Sequence, residues 1–115
     1  MRSNFTRKEL ECPCCKQMYL ADGFLDALDA LRSDVGEPMV ITSAYRCAKH
    51  NKAVNGAENS QHMKGCAVDI QCTGRRAWLI VSKAAKHGFF GIGVKPGMLH
   101  IDRRPEPTKS VFGYS

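Results

Sequence analysis

Two stretches of the chain carry apolar side chains at the spacing of a helix. In residues 21–35 the apolar positions recur at helical intervals, and Gly36 and Pro38 then interrupt the pattern. Residues 76–87 repeat this spacing and are followed by Gly88. A period near 3.6 that ends at glycine or proline predicts a helix with one face toward the core. We therefore expect two core-facing helices, the second of them capped by Gly88.

Four shorter segments have the composition or the alternation of β-strands. They are residues 39–43, 66–71, 89–94 and 98–102. In residues 66–71 the side chains alternate along the segment, which predicts a strand whose two faces differ. A turn at residues 95–97 separates the last two strands.

Helices and strands follow one another in mixed order, which favours an α+β fold. Between the first two strands we expect a short helix at residues 47–55, ended by Gly56, and then a polar loop at residues 57–65. A chain of 115 residues has the length of one domain. We predict a single domain over residues 1–115, with a small central antiparallel sheet flanked by helices and a partly irregular tail from Pro105 onward.

Composition and charge narrow the possible locations and partners. The chain has no run of about 18 apolar residues, so we expect no transmembrane segment. Its first residues lack the apolar core of a secretory signal, which indicates synthesis in a cytoplasm without a signal peptide. A formal charge of +6 favours polyanionic partners such as nucleic acid or an anionic bacterial cell wall. The basic residues are scattered and do not alternate with aromatic ones, so we expect no nucleic-acid binding.

The six cysteines include three that crowd together at Cys12, Cys14 and Cys15. Such close neighbours are poorly placed to form disulfides with one another, and we expect reduced thiols. A structural zinc site at these thiols would need four ligands, and no second CxxC pair follows. We therefore do not expect a second metal here. The possible further ligands are the remaining cysteines: Cys47, Cys66 and Cys72.

A group of histidines and aspartates carries the candidate chemistry. His62 lies in the predicted polar loop, Gly65 permits a tight turn after it, and Asp69 lies on the following strand. His100 and Asp102 are two residues apart on a later strand, so their side chains share a face. If the two strands are neighbours, His62, Asp69 and His100 converge. Two imidazoles and one carboxylate, with a position left for water, are typical of a catalytic zinc site.

Each of these residues has a simpler interpretation when taken alone. A single histidine is more often a buried neutral side chain than a metal ligand, and a carboxylate often binds loop backbone groups. An aspartate within an apolar strand, however, costs several kcal/mol unless it is paired or bound to a cation. The set of three is therefore better explained by a metal than its members are individually.

The same residues give a resemblance to the M15 family of zinc peptidases. SQHMKGCAVD at residues 60–69 matches the family signature SxHxxGxAxD, and HID at residues 100–102 matches its later HxD. ITSAYRCAKHN at residues 41–51 resembles the family's strand and turn that end in Ser-x-Tyr-Arg. Three motifs in the same order are far more specific than one. The resemblance covers roughly residues 5–105 and implies the zinc fold that these D,D-peptidases share with the hedgehog signalling domain.

The resemblance also implies roles for particular residues. His62, Asp69 and His100 would bind one catalytic zinc ion. Arg46 would bind a carboxylate or carbonyl group of the substrate through its rigid fork of donors. A structural bond to the protein is the alternative for Arg46. Ser60 would donate to the substrate or orient the loop of the first ligand.

One position departs from the pattern of some members. In the related dipeptidases and endolysins a glutamate three residues before the last histidine acts as the base, but here that position is Gly97. Asp102 is the nearest alternative base, and it could equally orient a ligand imidazole. His50 and His87 are further candidates, better interpreted as surface or capping histidines.

Together with the pattern of potential zinc ligands, the resemblance implies a zinc metallopeptidase that hydrolyses a peptide bond of bacterial peptidoglycan at or near a D-amino acid, as a D,D-carboxypeptidase or an endopeptidase. The stem peptide would be its partner and the protein a monomer. It would act on the wall after release from the cell or as part of a phage particle. The alternative is a zinc-stabilised module that binds the wall or a partner without turnover, because an intact zinc site need not mean catalysis.

Overall fold

The computed structural model describes residues 5–54, 60–104 and 109–113, and it has an α+β fold. Four α-helices and a five-stranded sheet make up these parts of the chain, and a 3-10 turn at Ala85–His87 follows the last helix. The predicted fold class is confirmed. The helices are α1 (Arg7–Leu10), α2 (Phe24–Val35), α3 (Ala48–Ala53) and α4 (Gly74–Ala84). The strands are β1 (Val40–Ser43), β2 (Ala67–Gln71), β3 (Gly91–Lys95), β4 (Met98–Asp102) and β5 (Ser110–Gly113).

The sheet has the strand order β1-β2-β4-β3-β5, with β2 and β4 at its centre. All neighbours are antiparallel except β3 and β5, which run parallel. The sheet is thus mostly antiparallel, with one parallel edge. Strand β5 lies in the tail, which was expected to be partly irregular. Its four residues form a strand because they pair with β3 rather than with a neighbour in sequence.

The two faces of the central strands differ in chemistry. Val68 of β2 lies opposite Ile101 of β4, and Ile70 lies opposite Leu99. All four side chains are buried in the core, each contributing about 1.5–3 kcal/mol by removing apolar surface from water. Since successive residues of a strand point to opposite faces, Asp69 and its cross-strand neighbour are forced onto the other face.

The core lies between the apolar face of the sheet and the helices. Phe24, Leu28, Leu31 and Val35 form the buried stripe of α2, as the helical spacing predicts. Helix α2 packs on α4, and Phe24 meets Phe89 edge to face with ring centroids 5.9 Å apart. This apolar layer holds one side of the central strands, so the other side is free to carry polar groups.

Several element boundaries differ from the sequence predictions for local reasons. Helix α2 begins at Phe24 rather than residue 21, because Gly23 adopts a left-handed conformation with φ 78° immediately before it. Helix α1 was not predicted; Thr6 caps it, and Glu9 bonds back to the backbone of Thr6. The predicted end of the short helix at Gly56 and the first part of the polar loop, residues 57–59, lie outside the described residues. In the described parts of the chain, no helix is long and apolar enough to cross a membrane.

Candidate metal centre

Three potential metal ligands meet on the polar face of the central strands. Oδ1 of Asp69 lies 3.2 Å from Nε2 of His62 and 3.2 Å from Nδ1 of His100. Asp69 and His100 are direct cross-strand partners of β2 and β4, and His62 approaches from the loop before β2. Asp69 and His62 are buried, while His100 is partly accessible. The sheet register and one loop are therefore sufficient to bring these three ligand atoms together.

The ring of His62 is oriented by a hydrogen bond at its outer nitrogen, Nδ1, which faces away from Asp69. Nδ1 lies 2.6 Å from the carbonyl oxygen of Ala44, which can only accept a hydrogen bond. Nδ1 must therefore carry a proton, and Nε2 faces Asp69. The backbone N–H of His62 donates to Oγ of the buried Ser60 at 3.1 Å, so Ser60 fixes the loop at this ligand.

Gly65 allows the loop of His62 to turn back into the protein. Its φ of 72° lies in the left-handed region that favours glycine. A Cβ atom at this position would lie 2.6 Å from the backbone oxygen of Tyr19 and 2.9 Å from Cα of Leu20. The backbone N–H of Ala21, directly after Leu20, also donates to the carbonyl oxygen of Gly65 at 2.9 Å. The first ligand thus depends on close backbone packing that only glycine permits.

The ring of His100 is oriented in the same manner by a carboxylate. Nε2 lies 2.6 Å from Oδ2 of Asp102, so this nitrogen donates and Nδ1 faces Asp69. Asp102 is fully buried and also accepts two side-chain hydrogen bonds from Arg104, at 2.8 and 2.7 Å. Gly91 lies opposite Asp102 in the sheet, and a Cβ there would overlap the carboxylate of Asp102 and the guanidinium of Arg104. On its other side, His100 contacts the ring of Phe112 from β5.

The second carboxylate oxygen of Asp69, Oδ2, accepts a hydrogen bond from Arg46. Nη2 of Arg46 lies 3.0 Å from Oδ2, and both side chains are largely buried. Arg46 also donates from Nε to Oγ of Ser43 at 3.2 Å and from Nη1 to Oδ1 of Asn51 at 3.3 Å. This arrangement leaves Oδ1 of Asp69 directed at the two histidines, as a carboxylate that binds a metal through one oxygen requires.

The charges in this group stabilise one another. Burial alone would raise the pKa of Asp69, but hydrogen bonds from His100 and His62 outweigh it and hold that pKa well below its usual range. Burial likewise works against the charge of Asp102, whose pKa is lowered by the hydrogen bonds from Arg104 and His100. For His100, burial lowers the pKa, yet the bonds to Asp102 and Asp69 raise it overall. Both carboxylates are therefore ionised at neutral pH.

The donor set fits zinc. Nitrogen and oxygen ligands about 2.0–2.1 Å from a tetrahedral zinc ion lie about 3.3–3.4 Å from each other, close to the 3.2 Å found here. The inner nitrogens of two imidazoles face one carboxylate oxygen, and each imidazole donates its other N–H to an acceptor, so a cation can replace the protons shared on the inner side. His62, Asp69 and His100 are thus arranged to hold zinc with a fourth position left over.

The other candidate residues lie in different places. Gly97 is in the turn between β3 and β4 with φ 79°, and nothing lies within 4 Å of where its Cβ would be. His87 forms an ion pair with Asp34 at 2.9 Å, away from the three ligands, as expected of a surface histidine. The backbone N–H of His50 donates to Sγ of Cys47 at the start of α3.

A second group of potential metal ligands was not expected. The side chains of Cys12, Cys14, Cys15 and Cys47 come together, with all four Sγ atoms within 4.8 Å of one another. All four are free thiols. Cys47 had been considered only as one of three possible partners. No local pattern in the sequence marks Cys47, because it reaches the other thiols through a tertiary contact: the loop of residues 44–47 runs beside the N-terminal segment, where Tyr45 N donates to Leu10 O.

Comparison with known proteins identifies the family of this chain. The zinc D-Ala-D-Ala carboxypeptidase of Streptomyces albus G is 33% identical to the chain over 63 residues, which are 54% of this chain and 25% of that protein. The chain therefore matches about a quarter of the length of this relative. The model of the family described as peptidase M15 matches residues 3–102. Since that match covers most of the chain, the protein belongs to the M15 peptidase family, and the matched range includes His62, Asp69 and His100.

Proposed function

We propose that this protein is a zinc-dependent peptidase that hydrolyses a peptide bond in bacterial peptidoglycan, at or near a D-amino acid. The observation that carries the proposal is the convergence of His62, Asp69 and His100, with both inner imidazole nitrogens facing Oδ1 of Asp69 and both outer nitrogens held by protein acceptors. Membership of the family and similarity to a zinc D-Ala-D-Ala carboxypeptidase support zinc as the metal and the wall as the source of substrate.

The three ligands would hold zinc with a position left for water or substrate. When bound, the ion supplies Lewis acidity, which lowers the pKa of water and polarises a carbonyl group. The protein's own groups then fix how the ligands are presented. Ala44 O and Asp102 set the tautomers of the two histidines, and Arg46 restricts Asp69 to one available oxygen.

Arg46 is suited to hold a substrate carboxylate beside the metal. Its bonds to Ser43, Asn51 and Asp69 use three of the five N–H donors of a guanidinium. The remaining N–H groups can donate to a carboxylate or carbonyl oxygen, and their position next to Asp69 would place such a group close to the metal. A terminal carboxylate at this point would favour a carboxypeptidase over an endopeptidase.

Asp102 acts in this proposal as a positioning residue rather than as the base. Its carboxylate is fully buried, and both of its oxygens accept hydrogen bonds, from His100 and Arg104. A base must reach the attacking water, whereas these contacts direct Asp102 toward the outer nitrogen of His100. We assign to Asp102 the task of fixing the imidazole and strengthening it as a ligand.

A second candidate function is a zinc-stabilised module that binds the wall without hydrolysing it. Gly97 favours it, because the position that holds a glutamate base in some members is here a glycine with a left-handed φ of 79°. A glutamate would be strained in this turn. In either case, the protein would meet the wall after release from a cell or as part of a phage particle.

Mass spectrometry of purified peptidoglycan, digested with the zinc-loaded protein, distinguishes the two functions. The peptidase should give products whose masses identify the cleaved bond: loss of a terminal D-alanine for a carboxypeptidase, shortened stem peptides for an endopeptidase. A chelated sample and His62→Ala are the matched controls and should give no products. Sedimentation of zinc-loaded protein with the wall, without any products, would support the binding module and contradict the peptidase.

A further inference from the structure

We infer that Cys12, Cys14, Cys15 and Cys47 bind a second, structural zinc ion. Four cysteine thiolates are a complete ligand set for zinc, with no position left for water. The first three ligands come from one short segment after α1, and the fourth is the residue immediately before α3. This inference reverses the sequence-based expectation of a single metal, and it does not depend on the proposed peptidase activity.

The distances between the sulfur atoms match such a site. Sγ of Cys47 lies 3.3 Å from Sγ of Cys14 and 3.6 Å from Sγ of Cys12, and the Cys12–Cys14 distance is 3.8 Å. Four sulfurs about 2.3 Å from one tetrahedral zinc lie about 3.8 Å apart. A disulfide would instead bring two sulfurs to about 2.0 Å. The cluster is therefore spaced for a shared cation rather than for a covalent pair.

The backbone around the cluster is folded to present sulfur atoms. Cys12 N donates to Gln17 O at 2.7 Å, and Lys16 N donates back to Cys12 O at 2.8 Å, which closes the segment into a tight loop. Lys16 has a φ of 62°, the left-handed conformation that this reversal needs. Backbone N–H groups also face the sulfurs: His50 N donates to Sγ of Cys47 at 3.4 Å. Such donors stabilise thiolates and are typical partners of metal-bound sulfur.

The position of the cluster suggests what the second ion stabilises. Cys47 directly follows Arg46, whose side chain bonds to Asp69 and whose backbone N–H donates to His62 O at 3.3 Å. Tyr45 in the same loop donates to Leu10 O at 3.2 Å, just before the cysteine segment. A zinc ion here would fasten the N-terminal segment to the loop that carries Arg46. Two of the ligands, Cys14 and Cys15, are exposed, so the ion can enter from solvent.

Zinc content of the full chain tests the inference when the first centre is disabled. The protein is produced with zinc and purified under reducing, oxygen-free conditions. Wild type should hold about two zinc ions per chain and His62→Ala about one, because four thiolates bind zinc without that histidine. Adding Cys47→Ser to His62→Ala should remove the remaining ion. Cys66→Ser in the same background is the control, since Cys66 lies outside the cluster and bonds to Gln61, and the one ion should stay.

X-ray absorption at the zinc edge of His62→Ala keeps the test independent of whether the Cys47 variant folds. A shell of four sulfurs at about 2.3 Å is expected. A shell of nitrogen and oxygen, or no retained zinc in folded His62→Ala, would overturn the inference. A disulfide among the four cysteines in protein prepared without oxygen, detected as a loss of two hydrogens in intact mass, would overturn it as well. Failure of wall hydrolysis with two zinc ions bound would count only against the proposed peptidase.

Discussion

The histidine centre and the cysteine cluster are built in opposite ways. Asp69 and His100 lie on the two central strands of the sheet, and their outer atoms are held by Arg46 and Asp102. The thiols lie on a tight loop and at the first turn of a six-residue helix, and two of them are exposed. Strand register can therefore hold ligands in place before a metal binds, whereas a loop of thiols relies on its ion to fix the geometry.

The largest expected effect separates the two centres completely. His100→Ala removes one ligand and the group that Asp102 orients, so the first zinc should be lost and wall hydrolysis should fall by well over about 100-fold, more than loss of an outer partner costs. The cysteine cluster should keep its ion. Zinc content and product release are measured together, and His87→Ala on the surface serves as control. Normal hydrolysis by folded His100→Ala would refute this assignment of ligands.

Gly65→Ala disturbs the packing of the His62 loop against Tyr19 and Leu20, which follow the cysteine segment in sequence. A Cβ would lie 2.6 Å from Tyr19 O, and the φ of 72° disfavours any other residue, so the cost should be about 2–5 kcal/mol of unfolding free energy. Gly36→Ala is a matched control, because its φ is 74° but nothing lies within 4 Å of its Cβ. Urea denaturation measures both. Equal losses would mean that backbone conformation alone matters and that the Tyr19 contact contributes nothing.

Asp102→Asn leaves all three potential ligands in place and alters the group that orients His100, together with its pairing to Arg104. The affinity of the first centre for zinc should fall by about 10- to 100-fold, since His100 loses its anionic acceptor. Competition with a zinc chelator measures this change, and the cysteine cluster should hold its ion unchanged. If Asp102 were the base instead, hydrolysis would collapse while zinc affinity stayed at the wild-type level.

The smallest effect concerns a carboxylate remote from both centres. Asp34 pairs with His87, Lys86 and Lys83, and these contacts hold its pKa well below the usual range. A lowered pKa stabilises the fold above the unfolded value of about 3.9, and this contribution is lost as the pH falls below it. In Asp34→Asn, the melting temperature should therefore be lower than in wild type at neutral pH, and the difference should shrink in acid. Asp22→Asn, at an exposed position, is the control; the same behaviour there would exclude a specific role for Asp34.

The sequence predicted the parts of the structure that depend on local periodicity. Alternation in β2 was enough to place Asp69 opposite the apolar face, and the HxD spacing put His100 and Asp102 together. The stripe of α2 was likewise readable from helical spacing. These features follow from geometry that repeats along the chain, so no knowledge of distant contacts was needed.

The parts that the sequence did not predict depend on distant contacts. Cys47 and Cys12, whose thiols form a hydrogen bond, are 35 residues apart in sequence. They meet because the loop after β1 runs beside Leu10. Strand β5 forms by parallel pairing with β3, and its sequence has no turn motif that would predict a hairpin. The ion pair of Arg46 with Asp69 is equally non-local. These contacts form when distant segments of the chain come together. The spacing of apolar residues along the sequence does not indicate which segments will meet.

The direct pairing of β2 with β4 has a consequence for the time the protein survives. Asp69 and His100 are 31 residues apart in sequence, with all of α4 and β3 between them. A zinc ion held by both would clasp the two central strands, and the strands could not separate until its bonds had broken. Such an ion would slow global opening and hence digestion by other proteases. If the protein acts on a cell wall as proposed, outside the protection of chaperones, resistance to proteolysis would be a second benefit of the same metal.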